Sequence, residues 1–430
     1  MVTEVLPDPA SDTPKSPVES RRIVSLDAVR GLVMFTMIFV NDLAGAPHEI
    51  VPWWMRHFKG DGNGMTFVDL VFPGFLFIIG MSVPLAFGGR IARGEPVWKT
   101  LAHILGRTLA LLLIGILMVN ETPSTAKLGW SGDLWCTLMY LSAILAFCSW
   151  SGVRDQASSQ PPKPALKIIN LLARTIGFAA LAFLAFAFRG EDGHRIISLS
   201  PFSIHTEWYG ILGLNGWAYL VAASVFLMFG PRRTALLASV VLLMCLYPAE
   251  RHGAFDHFWL NRIVGIGGTL GSQGAIAVAG LLLASILVTP ETACPGARFR
   301  FTLLFIAGFA AAALLTYGLY GINKNSATPS WCLWACAITA TLWLGFYLVG
   351  DVALRSGLIR PFSIAGQNVL LAYLLSEGLP STLTVLHLDG WYDRLGSPDL
   401  AHAIARSVGC SVVILLATSL LNRAGFRLRL

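Results

Sequence analysis

Charged residues are scarce in this sequence of 430 residues. Asp, Glu, Lys and Arg together make up 13% of the chain, whereas 55% of the residues are hydrophobic. A soluble globular domain carries about 25% charged residues. The few charges present cannot cover the surface of a soluble protein of this size. The composition therefore excludes a soluble fold and indicates a membrane protein.

Motifs that bind metal ions and nucleotides are missing as well. The seven cysteines are scattered without a CxxC pair, and Cys332 and Cys336 have no pair of histidines near them. We therefore expect no disulfide framework and no metal site. No P-loop or GxGxxG segment opens a helix, so a nucleotide-binding fold is not expected. The net charge of +7 comes largely from short loops, which indicates membrane topology rather than nucleic acid binding.

Apolar runs of about 20 residues recur along the chain, a length that matches a hydrocarbon core roughly 30 Å thick. The fold class expected is an all-α, polytopic bundle of 11–12 transmembrane helices. The eleventh run contains Gly378 and Pro380, which favour a kink or an early end. The spans are predicted at about 24–45, 66–88, 98–119, 133–150, 166–189, 209–230, 232–248, 267–288, 300–321, 328–350, 363–386 and 401–422.

The distribution of Lys and Arg predicts the orientation of the bundle. With the N-terminus in the cytoplasm, 18 of these residues fall in inner segments and nine in outer ones, as the positive-inside rule requires. Residues 1–22 are polar and rich in Pro, Ser, Asp and Glu, and they are predicted to be a disordered cytoplasmic tail. Residues 23–430 are predicted to form one transmembrane domain.

Polar side chains interrupt two of the apolar runs. Asp27 and Arg30 are three residues apart, so they share a helix face and can pair. The pair is either purely structural or part of a polar cavity, since unpaired charge at membrane depth is costly. Asn41 ends the same span, roughly 21 Å further along at 1.5 Å per residue, and therefore near the outer face. Glu377 lies inside the eleventh span, where an acid usually marks a substrate path.

The first outer loop contains the histidine best suited to chemistry. His57 follows two tryptophans and an arginine, and a glycine-rich turn leads from it to Asp69 at the start of the second span. An imidazole gains and loses a proton near neutral pH, so it can act as a general base. Two structural alternatives stay open: His57 as an interfacial residue among aromatic neighbours, and Asp69 as a cap of its helix.

Four segments resemble a known family of membrane enzymes. Residues 27–31 have the sequence DAVRG, residues 69–80 have DLVFPGFLFIIG, residues 321–331 have GINKNSATPSW and residues 366–368 have GQN. An Asn closes the first helix, and the loop after it holds a His. Together these features resemble the heparan-α-glucosaminide N-acetyltransferase family and its bacterial relatives, over most of the chain.

This resemblance implies a transmembrane acyltransferase. The family transfers an acetyl group from cytosolic acetyl-CoA to an amino sugar across the membrane, with a loop histidine. By this match His57 is the catalytic candidate, supported by Asn41 and Asp69. The expected partners are acetyl-CoA as co-substrate, an amino sugar or other glycan on the periplasmic side, and the bilayer. The expected location is the inner membrane, and a homodimer is a further expectation.

The matched segments also supply candidates for substrate binding. Amide and ammonium groups can stabilise a developing oxyanion, which makes Asn323, Lys324 and Asn368 candidates for that role. Lys324 has the alternative of an interfacial residue whose amine snorkels to water. The full set of predicted binding residues is Asp27, Arg30, Asn323, Lys324, Asn325, Asn368 and Glu377.

Several points of function stay open at the level of sequence. The family's RIPGVLQR element is replaced by KLGWSGDLW at residues 127–135, so the acceptor is not identified. Transfer to nitrogen or to oxygen, and direct transfer or an acetyl-histidine intermediate, are all compatible with the residues. The alternative function is a transporter of sugars or other small molecules that uses the same polar groups as a path. The lack of a convincing internal repeat weighs against an inverted-repeat transporter.

Overall fold

The structure is a computed structural model that describes residues 23–430 apart from 121, 152–163, 201, 207 and 293. The tail predicted at residues 1–22 lies outside the described residues. The described part is predominantly helical, with long apolar helices and two small strand pairs. This architecture confirms the predicted class, a polytopic helical membrane bundle. The orientation of the N-terminus stays a prediction.

The described residues form 16 α-helices, numbered in chain order: α1 Val24–Ala44, α2 Val71–Ala92, α3 Val97–Val119, α4 Thr125–Leu128, α5 Gly132–Ala146, α6 Pro164–Ala187, α7 Ile211–Phe229, α8 Arg233–Arg251, α9 Gly274–Val288, α10 Pro295–Tyr320, α11 Pro329–Tyr347, α12 Ser356–Ala365, α13 Val369–Glu377, α14 Leu379–Val385, α15 Asp389–Gly396 and α16 Leu400–Arg423. Short 3-10 helices occupy Trp53–Met55, Val68–Leu70, Trp259–Arg262 and Pro290–Thr292, and π-helices occupy Ile266–Gln273 and Leu348–Val352.

Four strands of three residues form two antiparallel pairs. Strand β1 (Cys148–Trp150) pairs with β4 (Phe426–Leu428), and β2 (Ile197–Leu199) pairs with β3 (Phe202–Ile204). The β1–β4 pair ties the end of the chain to the segment after α5. Helix α5 ends at Ala146 for this reason, earlier than the predicted span at 133–150.

Ten helices in the described part of the chain are long and apolar enough to cross a membrane. They match ten of the twelve predicted spans. The eleventh predicted span is a bent pair, with an angle of 61° between Gly357–Ala365 and Val369–Glu377. The remaining one is α5, which is apolar but only 15 residues long.

The bent pair breaks earlier than the sequence predicted. A break does occur at Gly378, between α13 and α14, but the sharp bend lies at residues 366–368. There the backbone of Gly366 presses against α1, because a Cβ atom on Gly366 would overlap the carbonyl oxygen of Asp27. A Cβ atom on Gly31 would likewise overlap the carbonyl oxygen of Phe362. The GQN segment therefore ends one helix where it meets another.

Helix α9 lies at the centre of the bundle. In the apolar 18-residue stretch of the span Ile266–Val288, 89% of the residues are buried, against 22% in the corresponding stretch of α10. Gly280 of α9 and Gly80 of α2 allow the two backbones to touch. A Cβ atom on Gly80 would overlap the carbonyl oxygen of Ala277. Small residues permit such crossings in membrane bundles. This crossing fixes α2, whose N-terminal end, the outer end in the predicted orientation, carries the candidate site.

We predict that Gly80→Val destabilises the folded protein strongly, because its methyl groups have no space beside α9. Overpacking of this kind costs about 1–3 kcal/mol or more. The measurement is the melting temperature of detergent-purified protein. Gly308→Val is the matched control, since a Cβ atom there has nothing within 4 Å. Equal melting temperatures for the two variants would contradict the packing described.

Candidate functional site

The Asp69 carboxylate is the best-buried acidic group at the outer end of α2. Its residue is 1% exposed and lies in the 3-10 helix that leads into α2. Oδ2 accepts hydrogen bonds from the backbone N–H of Phe58 at 3.0 Å and from the backbone N–H of Thr66 at 3.0 Å. The hydroxyl of Thr66 lies 3.3 Å from the same oxygen. The backbone N–H of Asp69 in turn donates to the backbone carbonyl oxygen of Thr66 at 3.2 Å, so the two residues are joined by hydrogen bonds in both directions.

The second carboxylate oxygen of Asp69 contacts the imidazole of His57. Nδ1 of His57 lies 2.8 Å from Oδ1 of Asp69. A carboxylate can only accept, so Nδ1 carries the proton and Nε2 carries the lone pair. The His57 side chain is 52% exposed, and Nε2 has no hydrogen-bond partner among the described residues. Asp69 therefore binds the backbone of the loop before α2 with one oxygen and sets the tautomer of His57 with the other.

Lys324 brings a positive charge to this pair from the loop between α10 and α11. Its Nζ lies 3.1 Å from Nδ1 of His57 and 3.8 Å from Oδ1 of Asp69. Because Nδ1 already donates to Asp69, Lys324 acts on the pair through its charge. Burial lowers the pKa of the Lys324 amine below its ordinary value, although the Asp69 carboxylate counteracts part of this effect. The amine points into the protein, unlike that of a snorkelling lysine.

Asn323 holds the Lys324 loop against the first outer loop. Its side-chain amide donates to the carbonyl oxygens of Gly60 and Gly62 at 2.8 and 3.0 Å, and its side-chain oxygen accepts from the backbone of Ser326. A reciprocal contact joins Asn63 to the backbone N–H of Ile322 at 2.8 Å. The amide of Asn323 is thus engaged in holding two loops together, which is different from the oxyanion-binding role predicted for it.

A cavity of about 680 Å³, named the outer cavity after the predicted orientation, opens beside these groups. His57, Lys324 and Asn325 line it on one side, and Asn41 of α1 lines it deeper in the bundle. Trp208 adds an aromatic wall. Four of the predicted site residues therefore face one cavity, although they come from three separate parts of the chain.

Asn41 also contacts the predicted acid of the eleventh span. Its side-chain amide donates to Oε1 of Glu377 at 2.7 Å. Both residues line a third cavity of about 340 Å³, which adjoins a cluster made by Asp42, Tyr392 and Arg406. Arg406 donates from Nε to Oδ2 of Asp42 at 3.0 Å. Glu377 thus contacts Asn41, which lines the outer cavity, while Glu377 itself lines the third cavity.

The remaining predicted residues lie around a cavity of about 460 Å³, named the inner cavity after the predicted orientation. Arg30 and Asn368 line this cavity, whereas Asp27 holds Arg30 in place with Oδ1 at 3.0 Å from NH1. The second guanidinium nitrogen of Arg30 donates to Ser82 at 2.7 Å. Asn368 bonds the backbone of β4 at Phe426 and Leu428. The structure thus places these residues well apart from His57 and Asp69.

The inner cavity also contains polar residues that lie outside the matched motifs. Arg107 and Asn215 line it, and the Asn215 side-chain oxygen is buried without a hydrogen-bond partner among the described residues. The Arg107 guanidinium stacks over the ring of Tyr219, 4.8 Å from its centroid. The only sequence signal was an arginine inside an apolar run. Met37 and Ile211 line both the inner and the outer cavity, so the two cavities meet at these side chains.

Within the described ranges, no group of three or more His, Cys, Asp and Glu residues is arranged to hold a metal ion. The fold and site define a multi-pass helical membrane protein with a His–Asp pair beside an outer cavity and a separate inner cavity. Comparison with known proteins relates the chain to one protein family and to two named relatives. Residues 22–198 match a family described as a domain of unknown function, DUF5009.

Two curated relatives carry the name heparan-alpha-glucosaminide N-acetyltransferase. The mouse (Mus musculus) protein is 32% identical over 146 residues, which cover 32% of this chain and 21% of that protein. The human (Homo sapiens) protein is 36% identical over 109 residues, which cover 25% of this chain and 15% of that protein. The matched stretch is thus about a fifth or less of each relative's length. These matches confirm the resemblance predicted from the motifs.

We predict that the pKa of the Lys324 amine lies below the ordinary value for lysine and that Asp69→Asn lowers this pKa further. The reason is that the variant removes the carboxylate that favours the charged amine, while burial continues to oppose it. Reductive ¹³C-methylation followed by NMR titration gives the pKa directly, because the chain has only seven lysines. Lys324→Arg assigns the signal. A higher pKa in Asp69→Asn would be inconsistent with this geometry.

Proposed function

We propose that this protein is a transmembrane acetyltransferase. It passes an acetyl group from cytosolic acetyl-CoA to an amino sugar or another glycan on the periplasmic side of the inner membrane. The observation that carries the proposal is the contact between His57 Nδ1 and Asp69 Oδ1 at 2.8 Å beside the outer cavity. The names of the two relatives support the reaction class and suggest a glucosamine-like acceptor.

In direct transfer, His57 is the general base. The acceptor nitrogen or oxygen attacks the thioester carbonyl carbon, and its proton moves to Nε2 of His57. The new bond to the acetyl carbon forms, the C–S bond breaks, and the CoA thiolate takes up a proton. Asp69 stabilises the imidazolium that forms, as the carboxylate of a Ser-His-Asp triad does. Lys324 is placed to stabilise negative charge that develops on the thioester oxygen.

In a two-step route, Nε2 of His57 attacks the thioester first. An acetyl-imidazole forms, CoA leaves as its thiol, and the acceptor then takes the acetyl group from His57. The same tautomer serves both routes, because both need the lone pair on Nε2. The described geometry is compatible with either route. The two routes are distinguished by testing acid-quenched protein for an acetyl group on His57, which only the two-step route forms.

The donor has to reach His57 from the opposite side of the membrane. Arg30 and Arg107 offer positive charge in the inner cavity for an anionic donor. The pantetheine arm would then extend past Met37 and Ile211, which line both cavities. A transporter also requires two cavities that meet inside the helix bundle. For this reason, sugar transport is the second candidate function.

The test is transfer of labelled acetyl from acetyl-CoA by protein purified in detergent or reconstituted in nanodiscs. The acceptor panel contains glucosamine, N-acetylglucosamine, and peptidoglycan or lipid-linked fragments. Label on an acceptor supports the acetyltransferase. Counterflow of a sugar in proteoliposomes without any need for acetyl-CoA, and no label transfer, would instead support the transporter.

We predict that His57→Ala lowers the transfer rate by about 10²–10⁴-fold, the usual contribution of a general base. The melting temperature should change little, because the His57 side chain is half exposed. His257→Ala is the matched control, an exposed histidine in another outer segment. Mass spectrometry of acid-quenched wild-type protein reports any acetyl group on His57. Full activity in a folded His57→Ala protein would remove the proposed role.

We predict that Asp69→Asn also lowers the rate by about 10²-fold or more. An amide at this position can donate to Nδ1, which favours the tautomer with the proton on Nε2 and removes the base. The KM for acetyl-CoA should be unchanged, since Asp69 is remote from the inner cavity. The measurement is the rate of transfer alongside the melting temperature. Loss of activity only in proportion to loss of folded protein would show a purely structural role.

A further inference from the structure

Part of the lining of the outer cavity comes from a π-helix, Ile266–Gln273, through Gly268, Thr269 and Gln273. A π-helix is rare, and it occurs frequently at functional sites. Gly267 and Gly271 let it pack tightly on α8, because a Cβ atom on Gly267 would lie 2.7 Å from atoms of Glu250 and Leu246. The Glu250 carboxylate accepts a hydrogen bond from the backbone N–H of Gly268 at 3.1 Å. The segment is thus held in place by its neighbours.

Gln273 ends this π-helix and lines the outer cavity. The residue is only 8% exposed, and its side-chain oxygen Oε1 is buried without a hydrogen-bond partner among the described residues. A buried amide oxygen is costly to leave unpaired inside an apolar bundle. Leucine at this position would fill similar space without that cost. The unpaired oxygen therefore indicates a partner that binds in the cavity.

The chemistry of that partner follows from the oxygen. A side-chain amide oxygen accepts hydrogen bonds, so the partner must present a hydroxyl or an amino group. The same cavity contains His57 and Lys324 at one side and the aromatic side chains of Trp208 and Tyr209 at another. A polyhydroxylated ring with an amino group fits such a mixture of aromatic surface and a few polar groups.

We propose that Gln273 is a specificity-determining residue, whose side-chain oxygen accepts a hydrogen bond from a hydroxyl or amino group of the acceptor. This inference rests on the proposed function, since it assigns the acceptor to the outer cavity. Gln273 binds and orients the acceptor, and takes no part in proton transfer. The acceptor hydrogen bond replaces the missing partner of Oε1, and acceptors without a donor at that place bind weakly.

The test compares wild-type protein with Gln273→Leu and with Ser285→Ala as matched control. Ser285 is buried in the same span, and its hydroxyl donates to Leu282, outside the three cavities described. The probes are glucosamine and its 3-, 4- and 6-deoxy analogues. The readouts are the KM for each acceptor, the KM for acetyl-CoA, the melting temperature, and equilibrium binding of tritiated glucosamine without acetyl-CoA.

We expect Gln273→Leu to raise the KM for glucosamine roughly tenfold, the effect of one hydrogen bond. The KM for acetyl-CoA should stay unchanged, and the melting temperature should not fall. One deoxy analogue should bind the wild type about tenfold more weakly than glucosamine does. That difference should vanish in Gln273→Leu, which a merely structural role cannot produce. Ser285→Ala should behave like the wild type in every acceptor measurement.

Two outcomes would overturn the assignment of Gln273 alone. One is an unchanged acceptor KM and analogue pattern in Gln273→Leu, as expected if only water contacts the oxygen. The other is an equal loss in both KM values together with a lower melting temperature. If the wild type transfers no label, the proposed reaction fails, and the binding measurement still decides on Gln273. Glucosamine binding that is absent, or equal in both proteins, would then reject it.

Discussion

The Asp69 residue is 1% exposed, and its carboxylate is surrounded by donors from the loop that precedes α2. The backbone of Phe58, the backbone and hydroxyl of Thr66, and the imidazole of His57 all point to it. A charge taken out of water costs several kcal/mol unless such partners replace the lost hydration. This requirement folds the first outer loop onto the start of α2, and it holds the imidazole with one nitrogen facing the cavity.

A second loop completes the arrangement from more than 250 residues further along the chain. Asn63 and Asn323 exchange side-chain bonds to the opposite loop's backbone. Gly321 turns the chain with φ +63°, and Ala327 has φ +48°, which is uncommon for a residue with a Cβ atom. Lys324 lies between these two turns, and its side chain contacts His57. The cost of the strained alanine is offset by the bonds that hold the loop, and strain of this kind clusters at functional sites.

The cavities depend on a balance between tight and loose packing of helices. Glycines bring α1 against α12 and α2 against α9 until their backbones touch. Elsewhere the helices separate and leave inner and outer cavities that meet at Met37 and Ile211. Polar groups that line these spaces are paired where possible, as Arg30 is with Asp27. Asn215 in the inner cavity and Gln273 in the outer one are exceptions among the described residues, and exceptions of this kind identify where a ligand is expected.

The sequence by itself determined the membrane class and the approximate spans, and it predicted His57 as the catalytic candidate with Asn41 and Asp69 as its supporting groups. Hydrophobic length is a local property, and the motifs keep the residue types at fixed places along the chain. Only the tertiary structure decided that Asn323 holds two loops together, that Asn368 binds β4, and that the sharp bend lies at residues 366–368. These roles depend on which atoms from distant segments meet, and a polar residue type alone cannot reveal whether its hydrogen bonds are already used. The unpaired oxygen of Gln273 is the opposite case, because only packing shows that nothing in the described chain reaches it.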